Sequence, residues 1–305
     1  MNRVNLTAIR ERVTVDVIRR SPKGLYSAVI GWGARRTLPR PLRSPLYRTF
    51  ARMVGARLDE AELDVTDYPT FGDFFARRLR PGVRQVHGAA DTIIAPCDGV
   101  VAMRGRAEKG RMIQAKGRDY QLAELVMDDE CAGVLDGGPY VTIYLSPRDY
   151  HRVHTPMTAR LLGYDYLPGN FFPVNPLFSR SVDSIMSSNE RVVFHLASKA
   201  LGRVALVMVG ALGVSNIAIA HDGAESRALR SEGVRSCVRF REPVTLERGD
   251  ELGAFHLGST VILIFEPDRI DLDTALGPDS ALRFGERIAR VRNPVELESS
   301  MGIVS

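Results

Sequence analysis

The 305-residue chain has only three cysteines, Cys97, Cys131 and Cys237. They are odd in number, widely spaced and form no C-x-x-C, which excludes a disulfide framework or a sequence-local zinc site and fits a reducing compartment. No secretory signal is visible: Arg10, Glu11, Arg12 and Asp16 interrupt the first apolar residues. There is also no long hydrophobic run. The longest uncharged stretch, Val204 to Ala220, falls just below membrane-spanning length and contains Gly210, Gly213, Ser215 and Asn216. It reads as two buried strands joined at the glycines. Internal repeats and low-complexity segments are missing. So is a G-x-S-x-G elbow, which argues against an ordinary α/β-hydrolase.

What remains is a globular composition, 45% hydrophobic and 25% charged, long enough to bury a core unaided. The net charge of +5 is unevenly spread. Residues 1–60 hold thirteen Lys/Arg against Glu11, Asp16, Asp59 and Glu60, a basic arm on a slightly acidic body. Within it Leu25, Val29, Ile30 and Trp32 lie near Arg35 and Arg36, a composition suited to a membrane–water interface. A basic helical hairpin packed on the body accounts for it equally well. No nucleic-acid motif accompanies the charge, so nucleic acid is not an expected partner.

Pro39-Arg40-Pro41 is expected to break a helix and Pro45 to start another. Residues 70–77 read as a short helix, and Pro81-Gly82 as a turn. Beyond it come short β-rich runs over 92–95, 99–103, 140–145, 192–196, 204–209, 214–220 and 261–265, with a helix over 121–127. The expected class is α+β: an N-terminal helical region over 1–70 and a mainly β body over 71–305.

Three segments carry candidate chemistry: Pro96-Cys97-Asp98-Gly99, Tyr150-His151-Arg152-Val153-His154 and Leu257-Gly258-Ser259-Thr260. Singly they read as a turn, two structural histidines and a Gly-Ser turn. The His-x-x-His pair lacks a carboxylate at a familiar spacing, so no metal is expected. Together they supply Asp, His and Ser, the ingredients of an activated hydroxyl nucleophile. Gly258 has no Cβ, so another group can approach its carbonyl closely. That suits attack by Ser259 on its own preceding peptide bond.

Residues 256–262, His-Leu-Gly-Ser-Thr-Val-Ile, resemble the maturation site of phosphatidylserine decarboxylase proenzymes. Collinear similarity extends over about residues 24 to 290. It includes Phe71-Gly72-Asp73-Phe74-Phe75 with Arg77 and Leu79-Arg80-Pro81, Ile113-Gln114-Ala115-Lys116-Gly117, Leu145 to His154, Pro168-Gly169, Val174-Asn175 and Asn189-Glu190-Arg191. The resemblance implies a proenzyme self-cleaved between Gly258 and Ser259 into a β chain (1–258) and an α chain (259–305). A pyruvoyl group derived from Ser259 would be its covalent cofactor, forming a Schiff base with phosphatidylserine and yielding phosphatidylethanolamine.

It also implies His154 as the base for Ser259, oriented by Asp98, with His151 as proton donor or substrate-carboxylate contact. Residues three apart on a strand point to opposite faces, so both histidines serve one site only if their segment bends. Phe171 and Phe172 are a candidate apolar wall for the lipid; Pro173 stands where some relatives place a serine. A lipid substrate makes the basic arm an interfacial anchor binding anionic lipids. The enzyme is then expected to be peripheral on the cytoplasmic face of a bacterial inner membrane, with a homodimer left open. The alternatives are a serine hydrolase using Ser259, His154 and Asp98, a decarboxylase of a related serine-headed phospholipid, or an inactive membrane-binding β domain.

Overall fold

The computed structural model describes residues 6–86, 88–115, 117–213, 216–256 and 259–292. Three helices lead: α1 (Leu6–Arg20), α2 (Lys23–Ala34) and α3 (Arg40–Val54). Pro39 is the residue capping α3 and Pro41 sits in its first turn, where a missing N–H is harmless. Residues 39–41 therefore begin a helix, and Pro45, expected to start one, lies inside it. Gly55 ends α3 with φ 78°, a left-handed conformation that favours glycine. The short α4 (Phe71–Phe75) follows Thr70, whose hydroxyl accepts the Asp73 N–H at 3.1 Å. Tyr47 of α3 stacks on Phe74 of α4 with ring centroids 4.5 Å apart. Around them Ala51, Val65 and Tyr68 complete a small core of their own.

The chain continues through β1 (Thr92–Ile94), β2 (Gly99–Arg106), β3 (Arg111–Ala115), β4 (Arg118–Gln121), α5 (Leu122–Val126), α6 (Asp129–Leu135), β5 (Pro139–Leu145), β6 (Arg152–His154) and β7 (Ala159–Leu167). Next come α7 (Pro176–Ser181), α8 (Ile185–Ser188), β8 (Arg191–Ser198), β9 (Gly202–Gly210), β10 (Asn216–Ile219), α9 (Ser226–Ser231), β11 (Ser236–Leu246) and β12 (Glu251–His256). Last are β13 (Ser259–Phe265), β14 (Ile270–Leu272), β15 (Ala281–Leu282) and β16 (Arg287–Val291). The body is mainly β, as expected, and each expected run has its strand.

Eight strands form one antiparallel sheet in the order β11-β7-β8-β9-β13-β5-β2-β15. Every residue of β13 is buried between β9 and β5, which is why its sequence is a continuous apolar run rather than an alternation. Two smaller sheets, β10-β12-β6 and β1-β16-β14, complete the body. β7 and β11 escape sequence reading. The first is interrupted by Arg160, Gly163 and Asp165. The second carries Arg239, Arg241, Glu242 and Pro243, tolerated because it is an edge strand.

Asp165, Asp128 and His195 place ligand atoms within 4.8 Å of one another. Two guanidiniums fill that space: Arg239 reaches Asp165 at 2.7 Å and Asp128 at 3.5 Å, and Arg235 reaches Asp165 at 3.1 Å. The cluster is an ion network pinning the edge strand to β7. Among the described residues no helix is long and apolar enough to cross a membrane.

Candidate active site

Ser259 is the first residue of β13, opposite Leu145 on one side and Gly210 on the other. Its side chain is fully buried, and its Oγ lies 3.5 Å from His151 Nδ1. His151 Nε2 faces the Ser146 carbonyl at 3.0 Å. A carbonyl only accepts, so Nε2 carries the proton and Nδ1 presents its lone pair to the Ser259 hydroxyl. The ring of Phe75 covers the imidazole at 4.2 Å. The short helix α4 thus acts as a lid over this histidine.

His154, expected at Ser259, is elsewhere. It ends β6, which pairs with β12, and its backbone N–H donates to the Pro96 carbonyl at 2.8 Å. Its Nδ1 donates to the Gly249 carbonyl at 2.8 Å, and its Nε2 accepts from the Tyr150 hydroxyl at 3.0 Å. The direct Asp98–His154–Ser259 relay anticipated from the sequence is therefore not formed here. The reason is strand geometry: His151 lies just before β6 and His154 at its end, so the two rings reach different surroundings.

Asp98 binds Arg84, through Nε at 3.1 Å and Nη2 at 2.5 Å. The same guanidinium reaches Glu60 at 2.8 Å. Asp98 Oδ1 also accepts the Phe284 N–H at 2.8 Å. Phe284 stacks on His154, centroids 3.9 Å apart. Asp98 and His154 thus meet only through Phe284, whose backbone the one holds and whose ring stacks on the other, and not by a direct hydrogen bond. Gly99 is required beside it, since a Cβ there would lie 2.6 Å from the Tyr144 carbonyl oxygen. Gly258 lies outside the described residues.

Phe171 is buried beneath the Arg230 guanidinium at 4.8 Å. Phe172 lies under Lys23 Nζ at 4.4 Å. Asn189 ties this loop to the site: its amide bonds both Phe172 backbone groups, and its Nδ2 also donates to the Gly210 carbonyl, in the residue opposite Ser259.

The phosphatidylserine decarboxylase family model matches residues 71–290. A curated phosphatidylserine decarboxylase proenzyme from Myxococcus xanthus is 41% identical over 88% of this chain and 94% of its own length. One from an Anaeromyxobacter species is 40% identical over 91% and 98%, and one from Bordetella avium 36% over 95% and 98%. The chain belongs to the phosphatidylserine decarboxylase family, a family of carboxy-lyases.

Tyr150, Arg84, Glu60 and Phe284 are the supporting residues that sequence reading missed. Tyr150 directly precedes His151 in the segment that carries both histidines. The others come from distant stretches with no local signal.

Burial drives both histidines toward the neutral form. His151 is pushed down to about 3 by desolvation and by the neighbouring Arg77 charge. His154 is pushed down to about 4 by desolvation, partly opposed by its bond to Gly249. Each is thus neutral at neutral pH, against an ordinary value of about 6.5. Above about pH 6.5 the imidazoles are neutral in both folded and unfolded chains and favour neither. As pH falls from there toward 4, only the unfolded chain takes up these protons. Stability should then drop by roughly 1.4 kcal/mol per pH unit for each histidine. The thermal midpoint of an uncleaved Ser259→Ala precursor should fall between pH 6.5 and 4.5, and His154→Gln should flatten that fall. An equal slope in both proteins would contradict neutral burial of His154.

Proposed function

We propose that the chain is a proenzyme that cuts itself between Gly258 and Ser259 and then decarboxylates phosphatidylserine. The contact of Ser259 with the unprotonated nitrogen of His151, in a buried site, carries this reading, together with the name its relatives bear. In the first reaction the Ser259 hydroxyl attacks the Gly258 carbonyl carbon and the peptide becomes an ester. Elimination across Cα–Cβ of residue 259 releases the Gly258 carboxylate as the new chain end. Uptake of water and loss of ammonia leave a pyruvoyl group heading residues 259–305.

Position 259 fits such a group: it is buried, opens a strand held on both sides, and has an imidazole nitrogen beside its side chain. The pyruvoyl carbonyl supplies an electron sink when carbon dioxide leaves. The protein's own residues do the rest. His151 moves the proton at position 259 during decarboxylation. Asp98 and His154 are the cleavage pair implied by the family motif, although His151 and not His154 faces Ser259 in the intact chain. Phe75 and the flanking strands exclude water, which strengthens the electrostatics inside. Because β13 is held between β5 and β9, the two chains stay joined after the cut.

Residues 1–70 are the membrane-associating part of this reading. α2 buries only small residues, Ser27, Gly31 and Ala34, against the body. It turns Leu25, Val29 and Trp32 outward, at 63%, 59% and 57% exposure. Large apolar side chains outside and small ones inside reverse the usual pattern of a soluble surface helix. The Arg36 guanidinium lies over the Trp32 ring at 4.2 Å, an amphipathic pair for an interface rich in anionic lipid. The arm would hold the enzyme as a peripheral protein, which we place on the cytoplasmic face of a bacterial inner membrane.

Purified protein mixed with phosphatidylserine vesicles should release carbon dioxide and form phosphatidylethanolamine. Ser259→Ala should do neither, and no release by the unmodified protein would overturn the activity. His154→Ala should remain full length, whereas His151→Ala should cleave yet decarboxylate at least a hundredfold more slowly, in the range of a lost acid–base group. The opposite pattern would make His151 the cleavage base. For the arm, Leu25→Glu with Trp32→Glu should weaken vesicle sedimentation at least tenfold while leaving cleavage intact; unchanged sedimentation would remove α2 from the interface.

A further inference from the structure

Arg77 belongs to one of the sequence blocks singled out above, yet neither reaction uses it. Only 3% of it is exposed. Its Nε and Nη1 have no hydrogen-bond partner among the described residues. Its Nη2 meets only the Arg148 carbonyl, at a long 3.5 Å. The Phe74 ring is 5.6 Å away, a weak cation–π contact. No carboxylate pairs with Arg77 among the described residues. A buried, unpaired guanidinium is costly, and proteins that keep one usually give it an anion.

Arg77 lines a cavity of about 260 Å³. Three carboxylates share the wall, Glu60, Asp98 and Asp149, but all are engaged. Glu60 and Asp98 hold Arg84, and Asp149 accepts the Ser146 N–H and hydroxyl at 2.7 Å. The cations outnumber them: Arg57, Arg148 and Arg283 also line the space. Arg148 and Arg283 are exposed at the surface, and Arg283 has no ion pair among the described residues. At ~30 Å³ for each water, the cavity has room for a tetrahedral oxyanion and several waters.

We infer that this cavity is an oxyanion site of the phosphate class, with Arg77 as its buried cation and Arg148 and Arg283 at its mouth. Guanidiniums suit such a ligand because their planar fork bonds two oxygens at once. The oxyanion is either free phosphate or the phosphodiester of a lipid headgroup. The cavity borders the histidine site: Tyr150, which donates to His154, lines it, as does Asp98. The inference does not depend on the decarboxylase reading, because its readout is binding.

The experiment is calorimetric titration of the purified protein with inorganic phosphate at constant ionic strength, with glycerophosphoserine in a parallel arm. Saturable binding at one site per chain is expected, with chloride unable to substitute. Arg77→Gln should weaken it at least tenfold. The doubly exposed change Arg148→Gln with Arg283→Gln, which leaves the core untouched, should weaken it at least threefold and decides the matter if Arg77→Gln does not fold. Tighter binding of glycerophosphoserine, in competition with phosphate, assigns the site to the headgroup; phosphate binding without it assigns the site to the free ion. No saturable phosphate binding, or binding equal in the native protein and the double variant, overturns the inference.

Discussion

The burial of β13 between β9 and β5 governs the rest of the structure. It places residue 259 at the mouth of the central strand, sealed from water, with the His151 lone pair at its side chain. A hydroxyl on an exposed loop would have neither the fixed direction nor the exclusion of water that this burial supplies. The same burial lets a chain cut before residue 259 keep its architecture, because the cross-strand bonds and apolar contacts of β13 all lie C-terminal to the cut.

Around that strand the histidines are held by different means. His151 is fixed by a carbonyl on one nitrogen and roofed by Phe75. His154 is saturated on both nitrogens and stacked on Phe284, whose backbone Asp98 holds. Asp98 is in turn neutralised by Arg84, with Glu60 on the same guanidinium. Burial disfavours the Arg84 charge, but the two carboxylates outweigh it and its pKa is raised. Asp98 is therefore an ion-paired anchor shared between the region around α3 and the β body.

The sequence made the β body legible wherever strands were apolar and buried, as at 140–145, 204–209 and 261–265. It hid strands whose residues answer to an edge or an ion network, as in β7 and β11, where Asp165 and Arg239 meet across strands. The prolines near 40 misled because proline both ends helices and begins them, and only the backbone around Pro39 and Pro41 distinguishes the two. At the site, Asp98, His151, His154 and Ser259 stood out by type and motif. Their pairing did not, because which ring faces Ser259 depends on where β6 begins. Arg84 and Phe284 reach Asp98 from far along the chain, a relation no local pattern records.

Self-cleavage at residue 259 is the claim on which the account stands, and denaturing mass spectrometry of the purified protein tests it most directly. The account predicts two chains divided after Gly258, the smaller one lighter than unmodified residues 259–305 by one ammonia. A single intact chain of 33.7 kDa, with serine still at position 259 and present in protein that decarboxylates phosphatidylserine, would contradict it.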